Sequence, residues 1–301
     1  MSTQLRPLST SELLDRTFFL YRNNFAVFAG IAAMAELPVL ALRLGNSALI
    51  VIRHPVPILL ASLIILGAGF VALGVSHAGT VIAVSDVCLD RKPSIRSAYA
   101  AARRSLLRVI WISFVVTVAI PLLIAVLAGF LVGMVLIPLS TGRTGAVPVA
   151  VGVVILTGFG LSCFWWLPRA LVVPATLLEG TGLRDSIDRS KLLTEDRRGR
   201  VFVICLLVVV LTYAITLLCQ SPAYAIGGVH FIRGRLIASH TSAVLLSVGA
   251  FAGASLAGPL LTIALTLVYY DGRVRREGFD LEVMLANLSS VPEPAPVSDT
   301  I

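Results

Sequence analysis

Apolar residues in this chain fall in long unbroken blocks, not in the alternating or 3.6-residue pattern of a half-buried soluble element. Residues 56–85 and 109–142 contain no Asp, Glu, Lys or Arg. A bilayer core is crossed by about 20 helical residues, and six blocks reach that length: 25–44, 56–85, 109–139, 146–178, 201–230 and 242–270. The pattern predicts an all-α membrane protein, with six transmembrane helices arranged as three hairpins in one domain over residues 1–288. Thirty residues at helical rise extend about 45 Å, so the longest blocks must tilt, kink or bend at their outer ends. Pro121, Pro138 and Pro222 are the predicted break points. Arg16 and Arg22 before the first block, and Ala33-Met34-Ala35 within it, have something of a signal peptide. The leading stretch is long and carries Glu12 and Asp15, and hydrophobicity resumes at once, so an uncleaved first span is expected.

The polar islands between the blocks set an orientation. Eighteen basic residues fall on one side, in the start, the second-to-third and fourth-to-fifth connections and the tail. Five fall on the other: Arg43, Arg53, Arg143, Arg233 and Arg235, with Arg169 inside the fourth span. Positive charge is retained in the cytoplasm, so both termini are expected there. Three of the islands carry a helical pattern of their own. Ser9-x-x-Glu12 makes a capping box with Leu8 and Leu13 placed as its staple. Leu14, Phe18, Tyr21 and Phe25 then share one helical face, and Ile95, Tyr99, Ala102 and Leu106 repeat the spacing. Residues 183–194 form a third, more polar version. An apolar stripe between arginines suits a helix lying on an anionic leaflet, so each hairpin is expected to follow a cytoplasmic amphipathic helix.

These islands also repeat. Asp15-Arg16-Thr17-x-x-Leu20 recurs as Asp188-Arg189-Ser190-x-x-Leu193, and Arg104-Ser105 heads a looser copy. The even-numbered spans each end on two apolar or aromatic residues and an acid, at Asp90, Glu179 and Asp271. Three copies of one unit, a lead-in helix followed by a hairpin, explain both landmarks. Gly129-x-x-x-Gly133 and Gly249-x-x-x-Gly253 predict close helix packing within the bundle.

Composition agrees with the pattern. The chain of 301 residues is 57% hydrophobic and 13% charged, about half the usual charged fraction, with a mean hydropathy of +0.94. Its net charge of +8 would suggest nucleic acid in a soluble protein, but the cations sit between membrane spans, and no nucleic-acid partner is expected. The cysteines Cys88, Cys163, Cys205 and Cys219 lack CxxC spacing and read as small buried hydrophobes. No metal site and no cofactor are predicted.

Three stretches resemble a known family. The tail Tyr269-Tyr270-Asp271-Gly272-Arg273-Val274-Arg275-Arg276-Glu277-Gly278-Phe279-Asp280-Leu281-Glu282 resembles the signature ending of a bacterial membrane family. That family is named for the membrane domain of glycerophosphoryl diester phosphodiesterase. Glu179-Gly180-x-Gly182-Leu183 with Arg189-Ser190-x-x-Leu193-Thr194 is similar to its central segment, and Arg6-Pro7-Leu8 through Asn24-Phe25 to its opening. Lys191 and Gly272 depart from the pattern, standing where an aromatic and an apolar residue are usual. The resemblance implies a bacterial inner-membrane protein; it does not imply hydrolysis. In some relatives that chemistry belongs to a fused soluble barrel, which needs roughly 250 residues that this chain does not have to spare.

Candidate chemistry is sparse. No Walker A, HExxH, GxSxG or usable GxGxxG motif occurs, and the protein is not expected to be an enzyme. Ionisable groups inside apolar spans are functional candidates. Glu36, His77 and Arg169 lie about 18, 20 and 15 Å from the cytoplasmic side at helical rise, so they could meet in an intramembrane polar cluster, and Glu36 is expected to pair with Arg169. The cytoplasmic candidates are Glu179, Asp185, Asp188, Arg189 and Ser190, with Asp271, Arg273, Arg275, Arg276, Glu277 and Asp280 from the tail. The i, i+4 spacing pairs Asp185 with Arg189, and Glu195 lies near Arg198. Residues 273–288 are expected to fold back on the cytoplasmic helices, with Arg275 or Arg276 pairing Asp185 or Asp188, before a disordered tail over 289–301. Two functions follow. The first is a non-catalytic module whose cytoplasmic face binds anionic membrane lipid or docks membrane or cytoplasmic proteins. The alternative is a transporter or lipid-translocating protein with a polar site near mid-membrane.

Overall fold

A computed structural model describes residues 7–52, 55–140, 146–195, 197–226, 230–232, 235–237, 239–278 and 281. The fold is helical throughout, apart from one short hairpin. Six helical stretches are long and apolar enough to cross a membrane: Phe25–Ser47, Val56–Cys88, Leu106–Met134, Val151–Glu179, Arg198–Ala225 and His240–Glu277. The chain is a multi-pass membrane protein by architecture.

In chain order, α1 (Thr10–Asn23) leads into α2 (Phe25–Ile52) and α3 (Pro55–Cys88). The short α4 (Ile95–Ala102) precedes α5 (Leu106–Phe114), which passes through a π turn at Val115–Ala119 into α6 (Ile120–Ser140). Then come α7 (Ala146–Trp166), a 3-10 turn at Leu167–Arg169, and α8 (Val172–Glu179). Helix α9 (Leu183–Thr194) leads into α10 (Arg198–Ala225) and α11 (His240–Glu277), joined by β1 (His230–Ile232) and β2 (Arg235–Ile237). The two strands pair antiparallel with Phe231 opposite Leu236. The expected fifth span to residue 230 therefore stops short, at Ala225.

The capping box at Ser9 forms as expected: its hydroxyl accepts the Glu12 N–H at 3.2 Å and Glu12 accepts the Ser9 N–H at 2.7 Å. What α1 buries differs from the predicted stripe. Leu13, Thr17 and Leu20 face the core, while Phe18 and Phe25 are exposed. Two tyrosines tie lead-in helices to membrane helices through backbone carbonyls. Tyr21 donates to Leu256 of α11, and Tyr99 of α4 donates to Ile31 of α2 at 2.6 Å. Burial pushes both phenols up to about 12, so they remain donors at any physiological pH.

Helix α2 packs on α3, α6 on α7 and α10 on α11, and α11 also packs on α2, α3 and α1. That makes α11 the axis of the bundle, with 61% of its most apolar window buried against 22% or less in the other five spans. Its glycines permit the close approach. A Cβ at Gly249 would lie 2.5 Å from the Cys219 carbonyl oxygen, and one at Gly253 would lie 2.9 Å from Thr216 Cα. Both GxxxG runs thus mark helix contacts in the bundle, Gly129 approaching Val154 across α6 and α7. The main core gathers Leu8, Leu13, Phe28, Val84, Leu171, Leu193 and Tyr269, all near the charged end of the helices. Away from it, Leu59, Leu63, Leu122, Phe130, Leu156 and Leu218 stay exposed, as a lipid-facing surface requires.

One of the three predicted breaks forms, beside Pro121, while Pro222 lies inside α10. Pro138 lies inside α6, and Pro38 and Pro259 lie inside α2 and α11. The interruptions are the π turn just before Pro121 and the 3-10 turn around Pro168, the second at a proline that the sequence pattern does not single out. Residues 289–301 and Asp280 lie outside the described residues.

Candidate functional site at the charged end of the bundle

Because α11 continues as a helix to Glu277, tail-motif residues Asp271 to Glu277 are carried on its last two turns, and of the fold-back expected over 273–288, residues 279, 280 and 282–288 lie outside the described residues. This end of α11 meets the ends of α8 and α9 on one side and of α1 and α10 on the other. Two ion networks result.

The first is centred on Arg189. Its Nε donates to both Glu179 oxygens, at 2.8 and 3.0 Å, and its Nη2 donates to Glu277 Oε2 at 2.7 Å. Tyr269 donates to Glu179 Oε1 at 2.6 Å, and Arg273 Nε to Glu277 Oε2 at 3.1 Å. The Glu277 hydrogen bond, followed by the Glu179 bond and both carboxylate charges, holds Arg189 above its ordinary value despite partial desolvation. One guanidinium thereby links the ends of the fourth and sixth spans through α9.

The second surrounds Asp271, whose side chain is 4% exposed. It accepts the Leu8 N–H at 2.8 Å, Arg200 Nη1 at 2.9 Å and Arg275 Nε at 2.9 Å, with Arg197 at 3.8 Å. Arg200 and Arg275 also donate to the Leu8 carbonyl, so both backbone groups of Leu8 are held. Three arginines around one carboxylate leave the cluster cationic. Burial, then the neighbouring Arg275, lowers Arg197 from its ordinary value, and Asp271 opposes both. Gly272 packs beside this cluster against Leu193, and a Cβ there would meet the Leu193 side chain at 3.4 Å, an ordinary van der Waals contact.

Ser190 closes the site from beneath. Fully buried, it donates to the Pro168 carbonyl at 2.9 Å and accepts the Leu171 N–H at 3.1 Å. Those are the backbone groups freed where the fourth span turns through its 3-10 segment, and Thr194 reaches the same carbonyl at 3.3 Å.

The structure thus brings together Glu179, Arg189, Glu277 and Arg273, and separately Asp271 with Arg275. It corrects the expected partners. Arg275 pairs with Asp271, Arg276 with Glu195 at 3.5 Å, and Asp188 with Lys191 at 3.0 Å, while Asp185 is exposed. Sequence reasoning missed Arg200, Tyr269 and the Leu8 backbone. In the sequence Arg200 reads only as an orienting charge, and the Tyr-Tyr-Asp ending of the third repeat is the available signal.

The intramembrane trio does not assemble. Arg169 donates to the Trp165 carbonyl within its own helix, and its guanidinium carbon lies 4.0 Å from the centroid of the Trp165 ring. No hydrogen bond or ion pair joins Glu36, His77 and Arg169 among the described residues, and Glu36 and His77 are each half-buried on α2 and α3. Among the described residues no group of three His, Cys, Asp or Glu side chains is placed to hold a metal ion. No family model, curated protein or solved structure matches the chain.

Proposed function

We propose that the protein is a non-catalytic module of a bacterial inner membrane, with both termini cytoplasmic, whose charged end is a docking face for anionic lipid headgroups. Proteins with acidic segments would use the same face. The observation that carries this reading is the excess of exposed cations at this end over its exposed acids among the described residues, Asp15, Asp90, Asp185, Asp188 and Glu195. The best-buried acids at this end, Asp271, Glu179 and Glu277, are engaged by arginines of the bundle itself. Meanwhile Arg22, Arg91, Lys92, Arg96, Arg103, Arg104, Arg184 and Arg198 are exposed. Leu107 and Trp111 stand exposed beside Arg103 and Arg104, at 84% and 62%, which gives an apolar anchor next to the cations. The resemblance of the tail and central segments to the phosphodiesterase membrane-domain family supports a membrane role without a catalytic barrel.

Each basic residue near an anionic surface contributes about 1 kcal/mol. In nanodiscs mixing phosphatidylcholine and phosphatidylglycerol, the lipid retained by the protein should be enriched in phosphatidylglycerol. Salt at 0.5 M should weaken the enrichment, and the R103Q/R104Q/R108Q variant should lose most of it. Retained lipid with the composition of the bulk, in the wild type at low salt, would end this reading.

A further inference from the structure

The opposite end of the bundle holds a second polar feature. Ser247 lies 24 residues before Asp271 on α11, about 36 Å away at helical rise, so this end is a membrane thickness from the arginine networks. There α2, α3 and α11 enclose an open cavity of about 220 Å³, lined by Arg43, Asn46 and Ser47 of α2, Ser62 of α3 and Ser247 of α11. Arg43 is 18 residues past Phe25, about 27 Å along the helix. That places its guanidinium near the far headgroup layer of a hydrocarbon core about 30 Å thick.

The hydrogen-bond inventory of the cavity is lopsided. Arg43 has no hydrogen-bond or ion-pair partner among the described residues, and its nearest acid along the helix is Glu36, two turns back. The three serines have already committed their protons to backbone carbonyls: Ser47 to Leu44 at 2.7 Å, Ser62 to Ile58 at 2.8 Å and Ser247 to Ala243 at 2.7 Å. What they present to the cavity is oxygen lone pairs. Asn46 Oδ1 is buried with no partner, although a buried amide oxygen ordinarily has one. The cavity therefore offers the Arg43 fork and the Asn46 amide N–H groups as donors, with Arg43 its one cation, against four oxygen acceptors.

A simple anion would satisfy Arg43 and leave the acceptors bare. A simple cation would face Arg43. We propose that this cavity binds a phosphate ester that carries its own hydrogen-bond donors: the phosphate on Arg43, and an ammonium or hydroxyl group on Asn46 Oδ1 and the serine oxygens. Arginine suits the phosphate because its planar fork donates two parallel bonds. The volume falls below the roughly 300–1,000 Å³ of pockets for drug-sized ligands, which matches a headgroup or a small polyol phosphate and not a larger molecule. The ligand can come from a phosphatidylethanolamine or phosphatidylglycerol headgroup of the outer leaflet, or from a soluble ester such as glycerol phosphate. This site goes beyond the docking face and stands without it.

The test has two arms on protein purified in maltoside detergent without phosphate. Native mass spectrometry reads phospholipid retained by the protein. Thermal shift reads binding of glycerol 3-phosphate, with inorganic phosphate, which lacks the hydroxyl-bearing arm that would reach the acceptor side, as the weaker comparison. At least one arm should show binding in the wild type that falls tenfold or more in R43Q. It should fall as far in S62L, which fills the cavity from another helix and leaves the charge alone. Dependence in the first arm assigns a lipid source, and in the second a soluble one. Should R43Q fail to fold, R43K keeps the charge without the fork and is read beside S62L. Binding in neither arm, binding indifferent to these variants, or an equal loss in R103Q/R104Q/R108Q overturns the proposal.

Discussion

At the scale of single residues, the two networks differ in how much each ion is worth. Asp271 is almost entirely removed from solvent and faces three arginines, so taking away its charge leaves buried cations uncompensated, at a typical cost of about 3–5 kcal/mol. Asp271→Asn keeps the shape and can still accept the Leu8 N–H, which isolates the charge. It should lower the thermal midpoint in detergent sharply. Asp188→Asn removes a partner from an exposed pair, 64% and 44% accessible, and should cost no more than about 0.5 kcal/mol. Equal midpoints for the two variants would show that Asp271 does not hold the end of the bundle together. Asp271 and Arg189 were visible in the sequence because each occupies a repeated landmark. Their partners were not. Spacing along one helix pairs Asp185 with Arg189, but the bonds are made across helices whose ends happen to cross, and Glu277 lies 88 residues from Arg189.

At the scale of elements, the sixfold span pattern, the Ser9 capping box and the Gly249/Gly253 contact were all legible, because each depends on neighbours within a few residues or on a repeat within one helix. Of the breaks, the one beside Pro121 was legible and the one at Pro168 was not. A proline interrupts a membrane helix only where the freed backbone groups find other partners, and those partners lie elsewhere in the chain. Pro38, Pro138 and Pro259 remain in continuous helix, whereas the turn at Pro168 is stabilised by Ser190, 22 residues away. This gives the Arg-Ser pair of the central motif two distinct jobs: Arg189 clamps span ends and Ser190 satisfies a helix break. Ser190→Ala leaves a buried carbonyl with one fewer donor and a buried N–H with none. A cost of about 1–3 kcal/mol is expected, read as a lower midpoint in a thermal melt. Ser221→Ala, an exposed serine bonded only within its own helix, should be neutral within about 0.5 kcal/mol. If both serines behave alike, the turn does not depend on Ser190.

At the scale of the whole molecule, the structure divides into a tightly packed charged end and an apolar remainder that faces lipid. The two ends of the described chain meet at the charged end, where Leu8 is bonded to Asp271, as an even number of crossings requires. Orientation then rests on charge. The lead-in helices, the α8–α9 connection and the end of α11 carry the great majority of the cations, and retention of Lys and Arg on the cytoplasmic side would place all of them there. The prediction is read by labelling intact cells with a membrane-impermeant maleimide, after Cys88, Cys163, Cys205 and Cys219 are replaced by Ala. Arg96→Cys and Arg198→Cys, both at exposed positions, should react only once the cells are opened. Arg53→Cys, Arg143→Cys and Ile226→Cys should react from outside, the last being 78% exposed where α10 ends. The result bears on both proposed sites at once. Reaction at residue 96 or 198 in intact cells would turn the arginine-rich face outward, away from the anionic cytoplasmic leaflet, and would bring the Arg43 cavity to the cytoplasmic side. The docking reading would then lose its lipid surface. The cavity would keep its chemistry but draw its phosphate ester from the cell interior.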